Sequence, residues 1–128
     1  MKLLLDTQAF IWGVATPERL SPRARRAMQD RANEVHVSAA TAWEIAIKAR
    51  TGKVAIAGDP QRFVPDEIAA NSFSPLPITI HHALMVADLP LIHRDPFDRL
   101  LIAQADLEDL TLVTSDAQIR RYGVRTIW

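Results

Sequence analysis

Short apolar runs alternate along this chain with longer amphipathic ones. Leu3-Leu4-Leu5 is continuously apolar and stops at Asp6, which predicts a short buried strand. Thr7 to Val14 follows with Phe10, Ile11 and Val14 at helical spacing. Ser21-Pro22 predicts a helix start, because serine accepts from the free first-turn amides and the fixed φ of proline suits the first helical position. Ala24, Ala27 and Met28 then face inward, and Arg23, Arg25 and Arg26 outward. Val35-His36-Val37 predicts a second strand, and Ser38 or Thr41 starts a helix to about Arg50, with Gly52 suited to its C-terminal cap. Asp59-Pro60 opens another helix, in which Pro65 sits early or acts as a breaker. Two prolines in Ser74 to Ile78 predict an edge or irregular extended segment, since proline donates no ladder hydrogen bond. Thr79 to Asp88 reads as a short helix. Asp95-Pro96 caps a helix to about Leu107 that is apolar nearly all round, and so is expected to be deeply packed. Thr111 to Thr114 reads as a strand, Ala117 to Tyr122 as a helical turn or two, and Val124 to Ile127 as a last strand.

Strands alternating with helices imply a mainly parallel sheet of short strands covered on both faces, an α/β fold in three α/β/α layers. A length of 128 residues with 48% hydrophobic content fits one globular domain spanning residues 1–128. The absence of cysteine excludes disulfides, thiolate metal sites and cysteine nucleophiles. Fifteen basic residues balance fifteen acidic ones, so composition gives no push toward nucleic acid, and local patches must hold any polyanion. Met1 to Leu5 is too short for a signal-peptide core, and no run approaches the ~20 apolar residues that span a bilayer. A cytoplasmic location is therefore expected.

Four carboxylates stand where strand-like runs end or helix-like runs begin: Asp6, Glu44, Asp98 and Asp116. Each has a structural explanation. Asp6 and Asp116 can cap the helices that follow them. Glu44 stands three residues after Thr41, at capping-box spacing, and four before Lys48, at ion-pair spacing. Asp98 suits the first turn of a helix capped by Asp95. Together they point elsewhere, because open α/β sheets bind ligands along the carboxyl ends of their strands. Pairs of carboxylates about 5 Å apart repel by roughly 3 kcal/mol at an effective dielectric near 20. A knot of acids with no cysteine and no nearby lysine is best explained by a hard divalent cation, Mg²⁺ or Mn²⁺. Thr7, Thr114 and Ser115 are hydroxyls suited either to a metal-bound water or to ordinary strand ends.

Other chemistry finds less support. His81 and His82 are adjacent and point apart on a helix, and His93 reads as a loop residue. HExxH, HxH and GxSxG are all absent, as is any glycine-rich phosphate loop. Arg19, Arg23, Arg25, Arg26 and Arg31 cluster, as do Arg120, Arg121 and Arg125, and Arg99 beside Asp98 is a candidate for contact with a phosphate.

The pieces Leu4-Leu5-Asp6-Thr7, Ala42-Trp43-Glu44, Asp95-Pro96-Phe97-Asp98-Arg99-Leu100-Leu101-Ile102-Ala103-Gln104-Ala105 and Leu112-Val113-Thr114-Ser115-Asp116 resemble, in order and at normal spacing, the four acidic motifs of PIN-domain ribonucleases. The likeness is strongest to VapC toxins of bacterial toxin–antitoxin pairs. It implies a PIN-like fold and a metal-dependent endoribonuclease, with Asp6, Glu44, Asp98 and Asp116 as metal ligands and catalytic groups and Glu44 a candidate proton acceptor. It also implies an RNA substrate, homodimerisation and a cognate antitoxin, for which apolar surface around Trp12, Trp43 and Trp128 is a candidate dock. A non-catalytic partner-binding module on the same fold is the alternative, and it requires the acids to be only caps and ion pairs. A receiver or haloacid-type phosphotransfer domain fits less well: Asp6 is followed by Thr7 and Gln8, and no lysine occurs after Lys53.

Overall fold

A computed structural model describes residues 1–128. Strands β1 (Lys2–Leu5), β2 (Glu34–Ser38), β3 (Ser74–Leu76), β4 (Thr111–Val113) and β5 (Thr126–Ile127) form one sheet in the order β3-β2-β1-β4-β5. Every pairing is parallel, so the sheet is wholly rather than mainly parallel. Leu3 stands opposite Val35 on one side and Thr111 on the other. The chain steps outward from β1 through β2 to β3, then returns to place β4 on the opposite side of β1. The carboxyl ends of β1 and β4 therefore flank the point where strand order reverses, the usual ligand crevice of such sheets.

Seven helices cover the sheet: α1 (Thr7–Ala15), α2 (Pro22–Gln29), α3 (Ala39–Arg50), α4 (Pro60–Ala70), α5 (Ile80–Met85), α6 (Pro96–Leu107) and α7 (Ala117–Arg120). Alternate residues of β1 serve opposite faces. Leu3 and Leu5 pack with Phe10, Val35, Val37, Ile45 and Phe63, while Leu4 packs with Leu101, Ile102, Leu112 and Ile119. That is why the strand is apolar at successive positions rather than alternating.

Most predicted boundaries hold to within a few residues, and the departures have local causes. Pro65 lies inside α4 and does not break it, because Phe63 and Val64 beside it are buried in the core and anchor the helix there. β3 is the edge strand that its prolines require. The Thr79 helix is shorter than predicted; α5 ends at Met85 and tightens into a 3₁₀ turn over Val86–Asp88. Ser21 caps α2 by accepting from the Ala24 amide at 3.0 Å. α2 buries only Ala24, so it has little packing to compensate for loss of the cap. Ser21→Ala is expected to lower the unfolding free energy by about 1 kcal/mol, read as a shifted urea midpoint with unchanged slope.

Candidate active site

The first residue beyond β1 is tied to the sheet and to the helix that follows it. The Asp6 amide donates to the Val113 carbonyl at 3.1 Å, which fixes it beside the end of β4. Its carboxylate accepts from the Ala9 amide at 2.7 Å, so Asp6 does cap α1. The Thr114 side chain helps to hold the Asp6 carboxyl down, and its hydroxyl accepts from the Asp116 amide at 3.0 Å. Asp116 caps α7 through the Gln118 amide at 2.8 Å. Asp98 stands in the first turn of α6, which is capped by Asp95. These capping roles are real, and they coexist with convergence rather than replacing it.

Asp6, Glu44, Asp98 and Asp116 line a single cleft of about 500 Å³, joined by Asp95, Lys48 and Lys53. A larger hollow, of about 590 Å³, opens elsewhere beside Arg25 and Arg31 and holds none of the four acids. Chemistry rather than size marks the site. Burial pushes the Asp6 carboxyl up to about 6; the Thr114 and Ala9 hydrogen bonds oppose this, and the charges of Asp116 and Glu44 add to it. Burial also pushes Asp98 up to about 7, reinforced by the charges of Asp95, Asp6 and Glu44 and eased by His93. Two carboxyls held near neutrality beside further carboxylates form a hard-oxygen donor set that a divalent cation fits.

Several sequence readings need correction. Glu44 is not the partner of a Thr41 cap, because Ser38 caps α3 through the Ala40 amide at 2.9 Å. The Glu44 carboxylate instead accepts from the Thr7 hydroxyl at 2.6 Å and pairs with Lys48. A lysine does therefore stand among the acids. The Glu44 hydrogen bond pushes Lys48 above its ordinary value, and the charges of Asp95 and Asp98 add to this. Thr7 donates to Glu44 and Thr114 accepts from the Asp116 amide, which leaves Ser115 as the remaining hydroxyl at the cleft.

Arg99 does not face the cleft. It is buried and donates to the carbonyls of Pro90, Val86 and Leu89 and to the Tyr122 hydroxyl. Its role is to brace the segment before α6. Arg99→Lys is expected to cost about 1–3 kcal/mol in denaturant unfolding, because a single ammonium cannot satisfy acceptors arranged for a planar fork.

His93 is a loop residue, as its sequence position suggests, yet it belongs to the cleft. Its Nε2 stands 3.0 Å from Asp98 and 3.0 Å from Asp116, and the ligating atoms of the three residues all lie within 4.8 Å of one another. Its only sequence signal was its place just ahead of the Asp95-Pro96-Phe97-Asp98 motif, since no spacing rule predicts a loop ring turning back over a helix start. The tryptophans also separate. Trp12 packs against Trp128 at 6.1 Å beneath Arg19, whereas Trp43 is 55% exposed and meets Phe97 edge-on at 4.9 Å.

No helix is long and apolar enough to cross a membrane. Residues 3–125 match the family profile described as "PIN domain". No curated protein matches the chain by sequence. Among solved structures the chain is similar to VapBC2 from Rickettsia felis bound to a DNA fragment from their promoter, with a TM-score of 0.71 at 12% identity over 99% of this chain and 98% of that one. It is similar to FitAcB from Neisseria gonorrhoeae, with a TM-score of 0.62 at 20% identity over 98% and 96% of the two chains. PAE2754 from Pyrobaculum aerophilum gives a TM-score of 0.59 at 20% identity over 98% and 83%. At these identities the likeness establishes the fold.

Proposed function

This chain belongs to the PIN-domain family, and from that membership we propose that it is a metal-dependent endoribonuclease hydrolysing RNA phosphodiester bonds, the toxin of a toxin–antitoxin pair. The observation that carries the reading is the meeting of Asp6, Glu44, Asp98 and Asp116 in one cleft, with two of them held far above the ordinary carboxylate range. In this reading residues 1–128 act as one cytoplasmic PIN domain. The likeness to VapBC2 and FitAcB supports an antitoxin partner, and a homodimer belongs to the same proposal.

Asp6, Asp98 and Asp116 would hold Mg²⁺ or Mn²⁺, with Glu44 reaching it directly or through water. When bound, the cation supplies Lewis acidity, which lowers the pKa of water and offsets charge on the phosphoryl and leaving oxygens. The chain's own groups do the rest. Thr7 and Lys48 orient Glu44, and both of its oxygens already accept hydrogen bonds. The proton released by the attacking water would pass to one of the cleft carboxylates, Glu44 among them. Lys48 and Lys53 at the cleft wall offset the acids and give a phosphate a cationic contact in an otherwise anionic site.

The direct test is incubation of the purified protein with total RNA in Mg²⁺ or Mn²⁺ and in chelator, followed by mapping of the new ends. Cleavage that needs the cation and stops with chelator is expected. RNA left intact at millimolar Mg²⁺ and Mn²⁺ would remove the nuclease reading.

A further inference from the structure

His93 lies in the loop ahead of α6 with its ring mostly buried. Its Nδ1 accepts the Asp95 amide proton at 3.2 Å, so the ring's own proton resides on Nε2. That single N–H donates to Asp116 Oδ2 at 3.0 Å, and Asp98 Oδ2 stands against the same nitrogen at 3.0 Å. The two carboxylates come from the first turn of α6 and from the junction of β4 with α7, so the ring joins elements that the sheet alone only brings near one another.

The loop that carries the ring is itself fixed. The Tyr122 hydroxyl accepts from the Ile92 amide at 3.2 Å and the His93 amide at 2.7 Å. Arg99 donates to the same hydroxyl at 3.1 Å and binds the Pro90 carbonyl at 2.8 Å. Arg99 also holds the Val86 carbonyl at 3.0 Å. Hydrogen bonds thus run from α6 through Tyr122 to the backbone of His93, and the ring of the same residue bonds Asp116 of the cleft.

Resting on the metal-site reading above, we infer that His93 is a positioning residue: its ring, bonded through Nε2–H to Asp116 and packed against the Asp98 carboxylate, holds the two in the orientation that receives a divalent cation, and Tyr122 and Arg99 set this clamp. A protonated Nε2 has no lone pair to offer, so the ring acts as donor to Asp116 and not as a ligand beside it. Asp116 is held at its other oxygen by the Gln118 amide, so the clamp leaves that carboxylate little rotamer freedom to lose on binding. Groups that orient ligands in this way typically contribute about 10–100-fold in metal affinity.

Mg²⁺ affinity by calorimetry and the His93 tautomer by ¹⁵N NMR test this without RNA, so failure of the nuclease reading and failure of the clamp give different results. The unaltered protein should show the Nε2–H tautomer both without and with Mg²⁺. His93→Ala should weaken Mg²⁺ binding about 10–100-fold. His93→Gln, whose amide N–H can reach the same carboxylates, should recover much of the loss. Tyr122→Phe, which leaves the imidazole intact, should weaken binding in the same direction by less. Should His93→Ala fail to fold, the tautomer and Tyr122→Phe still decide the matter. A proton moved to Nδ1 by Mg²⁺ would mark the ring as a ligand and overturn the clamp, as would unchanged affinity in a folded His93→Ala.

Discussion

Asp98→Asn is expected to abolish Mg²⁺-dependent RNA cleavage while the protein stays folded. Asparagine nearly matches aspartate in shape, and the α6 cap is made by Asp95 rather than by Asp98. The Asp98 side chain contributes charge at the cleft and a contact with His93, and no core packing depends on it. A neutral amide in its place removes an anionic oxygen from the donor set, and a loss of at least about 100-fold in cleavage follows, since even groups that only orient metal ligands contribute up to that much. Asp6→Asn should behave alike, because the asparagine carbonyl can still accept the Ala9 amide proton and keep α1 capped. Cleavage assays paired with melting curves separate loss of chemistry from loss of fold. Undiminished cleavage by either folded variant would refute the site.

The second large effect is on stability. Asp6 and Asp98 are raised in the folded chain from an ordinary 3.8 to about 6 and about 7. Between those values the folded state keeps protons that the unfolded state has released, so stability falls as pH rises. Their contribution is fully present below the ordinary value and is lost as pH climbs through about 6 and 7. At about 1.4 kcal/mol per pH unit and group, the metal-free protein should lose a few kcal/mol between acid and neutral pH. Mn²⁺ offsets the charge that causes the loss, and it binds the folded state only. Its stabilising effect should therefore be large at pH 8 and small at pH 5, where protons compete for the same oxygens. Melting curves at the two pH values with and without millimolar Mn²⁺ read both effects. The absence of any shift at pH 8 would favour the alternative of a partner-binding module, in which Asp6 and Asp116 act only as the caps they also are.

How much of this was legible in the sequence depends on the range over which each signal acts. Leu3-Leu4-Leu5 specifies a strand buried on both faces, Ser21-Pro22 and Asp95-Pro96 specify helix starts, and the two prolines of β3 specify an edge. Each is decided by a few neighbouring residues, through burial, capping or a missing amide. The alternation of such signals determined the layered parallel fold, and the position of each acid at an element boundary was readable for the same reason. Boundaries blurred where packing overrode local chemistry, as at Pro65, which the buried Phe63 and Val64 hold inside a helix.

Tertiary structure alone decided which acids meet and what surrounds them. Pairing of β1 with β4 brings Asp6 and Asp116 together from opposite ends of the chain, and no local pattern encodes that pairing. The same through-space placement turned Arg99 from a phosphate candidate into a buried brace, set Thr7 and Lys48 on Glu44, and folded His93 over two carboxylates. Hydrogen bonds and charge interactions act at a few ångströms regardless of sequence separation. The chain's order could therefore name the participants, and only the packed sheet could say which of them touch.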